Sequence, residues 1–233
     1  MKKILLLLIL FVLCISFVSS HQPRFVENNP SVQEPYEINN PEVSQAFYSA
    51  LNGQEEYFMI RSDKDFQLYV QVLQPVIPCS SGECIEEQNI YSFEIISGDY
   101  SLVINGSLAS WGEYFEEFAG DYYLEGPEYT EIVGSGTYII KVFNEENQNY
   151  GKYVLVVGKK EEFPLGEAIN AIISMPKLKR YFGKSVLLSF WNMIGLFLLI
   201  GLIILAGIII AIIFIAKAIK KRIKREGSKR NNG

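Results

Sequence analysis

The stretch FQLYVQVL, residues 66–73, decides the fold class. Phe66, Leu68, Val70 and Val72 point to one side of an extended chain while Gln67, Tyr69 and Gln71 point to the other, the period of a half-buried strand. Pro75 and Pro78 end it, because proline donates nothing to a sheet ladder. Downstream the same period recurs. YSFEII and YSLVI flank Ser97-Gly98-Asp99, so residues 90–96 and 100–104 read as a hairpin with a short glycine-containing loop. Thr137–Phe143 and Tyr150–Val157 read as a second hairpin, joined by NEENQN, with Tyr138, Ile140 and Val142 sharing a face. That face is expected to be buried with Phe66, Leu68, Val70 and Val72, while Gln67 and Gln71 face outward. Many short alternating strands separated by turns predict a mainly β domain, an antiparallel, jelly-roll-like β-sandwich.

Upstream of this stretch the pattern changes. Residues 21–41 contain Pro23, Pro30, Pro35 and Pro41, a composition that propagates neither helix nor central strand, so an extended Pro-rich arm is expected. In EVSQAFYSALN, Val43, Ala46, Phe47, Ala50 and Leu51 stand near helical spacing with Gly53 just beyond, which predicts a short helix over 42–52. The sandwich is then expected over 42–160 and a juxtamembrane linker over 161–184.

The segments SGTYIIKVFN and GKYVLVVG resemble the last hairpin of small secreted β-sandwiches of the pre-peptidase C-terminal type, with a Gly-Thr-Tyr entry strand and a Tyr-x-Leu exit strand. With WGEYFEEFAGDYYLEGPEY, FQLYVQVLQP and a C-terminal apolar segment, the layout also resembles uncharacterised single-pass surface proteins of archaea and candidate-phylum bacteria. The resemblance implies a displayed β-sandwich and brings no activity with it.

Two apolar runs place the domain. Residues 1–20 carry Lys2 and Lys3 near their start, continue with a 15-residue uncharged run from Ile4 to Val18 that is apolar but for Ser16, and end on Ser19-Ser20, the layout of a cleaved signal peptide. Fifteen helical residues reach only about 22 Å, short of a hydrocarbon core of roughly 30 Å. Residues 185–216 hold no formal charge, and their core, 193–216, shows no polar face, as one transmembrane helix requires. The same helix is expected to run on into the tail, because Ile215, Ile219 and Ile223 keep a four-residue spacing. Residues 217–233 form a basic tail with eight Lys and Arg, which places that end in the cytoplasm and the N-terminal domain outside the cell membrane. Four basic residues between Pro176 and Lys184 oppose this tendency and are outnumbered two to one.

Charge narrows the partners. Residues 21–184 carry 25 Asp and Glu against 11 Lys and Arg, and between Lys64 and Lys141 there are 13 acids and no base. Such a surface repels polyanions and argues against nucleic acid as a partner. The lipid bilayer and a glycan or envelope-protein ligand remain.

His21 is the only histidine, so a Ser-His-Asp or Cys-His enzyme is excluded, and neither a nucleophile elbow nor a phosphate-cradling or dinucleotide-binding glycine loop is present. Cys79 and Cys84 are the two cysteines beyond the signal segment; in an oxidising compartment they predict a disulfide around Gly82. Asn105-Gly106-Ser107 is a glycosylation sequon.

Trp111–Tyr129 holds seven aromatics, six acids and no base. On one reading Trp111, Tyr114, Phe115, Phe118 and Tyr122 form a helical stripe packed on the sandwich, with Glu113, Glu116 and Glu117 in water. On the other the stretch is a recognition loop. Trp111, Tyr114 and Tyr122 then stack on sugar rings or cationic groups, while Asp121, Glu125 and Glu128 accept hydrogen bonds or hold Ca2+. No calcium-loop spacing supports the ion, and the sequence names no metal site or other cofactor. These features predict a non-enzymatic, membrane-anchored surface module. A carboxylate-based envelope glycan hydrolase is the first alternative, requiring two acids converging in a cleft. A sorting or cargo receptor is the second, although no heptad stalk is evident in residues 159–184.

Overall fold

The computed structural model describes residues 21–77, 89–116, 120–144, 148–162, 164–190 and 193–230. The signal segment 1–20 and the Cys79–Cys84 pair lie outside the described residues.

Among the described residues eleven strands form two sheets. The first contains β1 (Gln22–Phe25), β3 (Gln45–Asn52), β5 (Phe66–Pro75), β8 (Gly112–Glu116), β9 (Asp121–Val133) and β11 (Tyr150–Val157), in the order β1-β3-β11-β5-β9-β8. The second contains β2 (Tyr36–Ile38), β4 (Glu56–Ser62), β6 (Ser92–Ser97), β7 (Tyr100–Ile104) and β10 (Gly136–Phe143), in the order β2-β4-β10-β6-β7. The chain is thus mainly β with two facing sheets, as the alternating patterns predict. Pairing is antiparallel except at one margin of each sheet, where β1 runs parallel to β3 and β2 parallel to β4.

The core between the sheets contains the expected faces: Phe66, Leu68, Val70 and Val72 pack with Ile140 and Val142. Gln67 is exposed and Gln71 half-buried. The hairpin β6–β7 also forms as read, closing through Gly98 at φ +57°, a left-handed conformation that glycine adopts without a Cβ clash.

Four expectations change. The first is the arm at 21–41, which is not separate from the sandwich: it supplies β1 and β2, the margin strands where proline is tolerated. The domain therefore starts before residue 42. The second is the helix at 42–52, where β3 stands instead. Phe47 and Leu51 enter the inter-sheet core while Ala46 and Tyr48 are buried on the opposite face, so both sides are apolar and the alternation disappears.

The third is the hairpin over 137–157. β10 pairs with β4 and β6, whereas β11 pairs with β3 and β5, so the chain crosses from one sheet to the other at Asn144–Asn149. Gln148 and Asn149 adopt positive φ, and the Asn149 side chain accepts a hydrogen bond from the Asn144 backbone at 2.7 Å.

The fourth is the linker at 161–184. It contains helix α1, Leu165–Tyr181, whose Ala171, Met175 and Leu178, with Phe182, pack on Tyr48, Tyr123, Val154 and Val156. Glu167 in its first turn and Lys179 and Arg180 in its last complement the helix dipole. The centre of the six-stranded sheet is consequently buried on both faces. This explains why Tyr153–Val157, at its centre, is an unbroken run of buried residues rather than an alternating one.

A 3-10 turn, Val186–Phe190, leads to α2, Met193–Arg230, which is one continuous helix as expected. Leu199–Lys221 within it is long and apolar enough to cross a membrane, with a mean hydropathy of 3.3.

Candidate functional site

The described residues of the aromatic, acidic stretch mostly form strands, neither the helix nor the recognition loop expected. β8 and β9 pair antiparallel, with Tyr114 opposite Tyr123 and Phe115 opposite Tyr122, so successive side chains go to opposite faces of a sheet margin. Residues 117–119, including Phe118, lie outside the described residues.

The six residues singled out as a binding set are divided among different surroundings. Trp111 packs on the inter-sheet core and donates its Nε1 hydrogen to the Gly106 carbonyl at 3.0 Å. Its ring covers Gly126, where an added Cβ would stand 2.4 Å from the indole. Tyr114 packs on the second core beneath α1. Tyr122 is exposed and lies against Phe115, ring centroids 4.7 Å apart. Glu125 is half-buried, whereas Glu128 is exposed and accepts a hydrogen bond from the Tyr69 hydroxyl at 3.2 Å.

Asp121 is fully buried and pairs with two lysines, Lys179 at 2.9 Å and Lys184 at 2.6 Å. Among the described residues no group of three or more His, Cys, Asp and Glu is placed to hold a metal ion. Asn105, the sequon residue, is exposed and caps the 3-10 turn Gly106–Leu108, its side chain accepting from Ser107 N.

Beneath α1, Tyr48 and Tyr123 share a hydroxyl–hydroxyl hydrogen bond of 3.1 Å, and burial raises the pKa of both phenols. A cavity of about 20 Å³ lies here, lined by His21, Tyr114, Glu116, Tyr123 and Ser174 among others. That is room for roughly one water. His21 Nδ1 meets Ser44 Oγ at 2.5 Å; burial lowers its pKa and Glu161 pulls in the opposite direction.

A second buried carboxylate joins the sheets. Glu56 Oε2 accepts from Ser49 Oγ at 2.6 Å and Tyr153 OH at 2.5 Å, while Oε1 has no hydrogen-bond partner among the described residues. Burial raises its pKa, and the two hydroxyl donors counter part of that rise.

The open clefts lie elsewhere, along the margin where β1 and β2 face each other. One, of about 360 Å³, is lined by Arg24, Tyr36, Asn39, Gln45 and Glu167 among others; the next, of about 640 Å³, is lined by Arg61, Ser62, Asp63, Lys64 and Lys160 among others. Glu37, Asn39, Asn40, Val43 and Glu162 belong to both, so they form one polar groove. Its walls are fixed by Arg24, which reaches Glu167 Oε2 at 2.9 Å and Oε1 at 3.1 Å, and by Gln45 Nε2, which donates to the carbonyls of Asn39 and Asn40. Sequence reading missed this groove because most of its residues come from segments taken as arm, helix and linker. The clustered amides at 39–40 were its one local signal.

No protein-family model and no curated protein matches the sequence. Among solved structures, the pre-peptidase C-terminal domain of a collagenase from Bacillus anthracis is similar at 8% identity and a TM-score of 0.32, over 60% of this chain and 96% of that one. A beta-glucosidase from Paenibacillus barengoltzii is similar at 8% identity and a TM-score of 0.24, over 60% of this chain; the chain spans 13% of that enzyme.

Proposed function

We propose that the protein is a non-enzymatic binding module held at the cell surface by α2, with its β-sandwich outside and the basic tail in the cytoplasm. The observation that supports binding is the polar groove between β1 and β2. It offers the amides of Asn39 and Asn40, the Glu37–Arg61 ion pair and the edge of Tyr36, a mixture of donors and acceptors suited to a polyhydroxyl glycan or a polar segment of an envelope protein. The excess of lysine and arginine beyond residue 216 supports the orientation, and the apolar start of the chain supports export.

The test is binding of the full-length, detergent-solubilised protein to a panel of glycans and envelope proteins, with Asn39→Ala as the comparison. The expected result is capture of a ligand that is recovered chemically unchanged and weakened capture by the variant. Cleavage of a captured glycan would instead establish the carboxylate-based hydrolase. Equal capture by the variant would remove the groove from the proposal.

A further inference from the structure

We propose that α1 lies in the headgroup region of the membrane that α2 spans, so that the sandwich rests on the bilayer through a helix instead of standing off on a tether. Helix α1 has two apolar faces. One is consumed by the sheet, through Ala171, Met175 and Leu178. The other carries Leu165, Ile169, Ile172 and Ile173, which at 100° per residue fall within one stripe about 100° wide, and all four are exposed. Leu165 and Ile173 are 77% and 70% exposed, which is costly in water for the largest aliphatic side chains.

Two observations select lipid as the occupant. The first is continuity. The 3-10 turn at 186–190 contacts both α1 and α2, and its Leu187 and Leu188 are exposed as well, so the apolar stripe leads directly into the apolar helix.

The second is charge. The domain is strongly acidic, yet no Asp or Glu occurs from Ala168 to Arg225. Arg180 is exposed on the stripe side of the last turn, and Lys177, exposed beside it, is ion-paired with Glu27 of the sandwich. An apolar stripe with basic residues at its edge is the pattern of a helix that lies in the interface: aliphatic side chains enter the acyl boundary and long basic side chains reach the phosphates.

The inference rests on α2 being a membrane anchor, and the experiment separates the two ideas. The full chain is placed in phosphatidylcholine–phosphatidylglycerol nanodiscs, with and without brominated acyl chains. Fluorescence of Ile173→Trp, Val103→Trp and Ile203→Trp is read as the difference from the unsubstituted chain. Val103 is exposed on the outer face of the second sheet, two layers away from the stripe, and Ile203 is exposed within the apolar Leu199–Lys221 span of α2.

Bromination is expected to lower the added emission of the Ile173 variant by at least about two-fold and to leave the Val103 variant unchanged. Equal, weak quenching at Ile173 and Val103 overturns the proposal, and cross-linked pairs of chains in that case assign the stripe to a second copy. Loss of quenching at Ile203 would instead defeat the anchor reading.

Discussion

Asp121, the first residue of β9, and Lys179, in the last turn of α1, form an ion pair of 2.9 Å in which neither side chain is accessible to water. Lys184, just beyond the helix, holds the other carboxylate oxygen at 2.6 Å. One carboxylate thus fastens the C-terminal end of α1 to the sheet. Burying charges is expensive, and the cost of removing one partner is larger than the net worth of the pair. Asp121→Asn is therefore expected to destabilise the domain by about 3–5 kcal/mol, measured by chemical unfolding of the solubilised protein. Lys184→Met, at a partly exposed position, should cost clearly less.

Trp111 and Gly126 give a second expectation. The indole cannot withdraw from residue 126 without giving up its bond to the Gly106 carbonyl, so Gly126→Ala should cost about 1–3 kcal/mol by overpacking. Trp111→Ala should cost about 3 kcal/mol through lost packing. Thermal unfolding measures both, and a stable Trp111→Ala variant would place the indole among groups available to a ligand.

Phe115 and Tyr122 behave differently because their paired rings face solvent. Phe115→Ala should change stability by only about 0.5–1 kcal/mol, the worth of a cross-strand aromatic pair. Circular dichroism should stay unchanged, and a loss of several kcal/mol would show that the pair supports the sheet margin.

Glu56 gives the pH dependence. Its pKa in the folded chain lies above the ordinary 4.5 because burial penalises the charged form. The stability belonging to its protonated form is therefore fully present below pH 4.5 and is lost as pH rises through the raised folded value. Glu56→Gln stays neutral throughout. Its Tm should match that of the parent in acid and exceed it at neutral pH, and a difference that shrinks as pH rises would contradict this sign.

How much of this was legible depended on what lay against each face. β5 and the β6–β7 hairpin were readable because polar residues mark an open face or a turn. β3 was not, since Ala46 and Tyr48 are covered by α1 and Phe47 and Leu51 by the other sheet, leaving residues that mimic helical spacing. α1 itself escaped notice for the same reason, having apolar residues on both sides and Pro176 within it. The crossing at 144–149 looked like a hairpin because sequence proximity does not distinguish pairing within a sheet from passage between sheets. Asp121 gave no local sign of its lysines, which lie 58 and 63 residues away.

The strand orders carry a consequence for how the chain acquires its shape as it is made. β11 separates β1-β3 from β5-β9-β8, and β10 separates β2-β4 from β6-β7. Until Gly136–Val157 has emerged, the preceding residues amount to four partial sheets, each with an unsatisfied ladder at β3, β5, β4 or β6. Such ladders attract other chains, and pairings this distant in sequence close slowly. The polypeptide must therefore be kept from self-association until Val157 has emerged, and a break anywhere before that residue yields aggregation-prone fragments rather than a smaller domain.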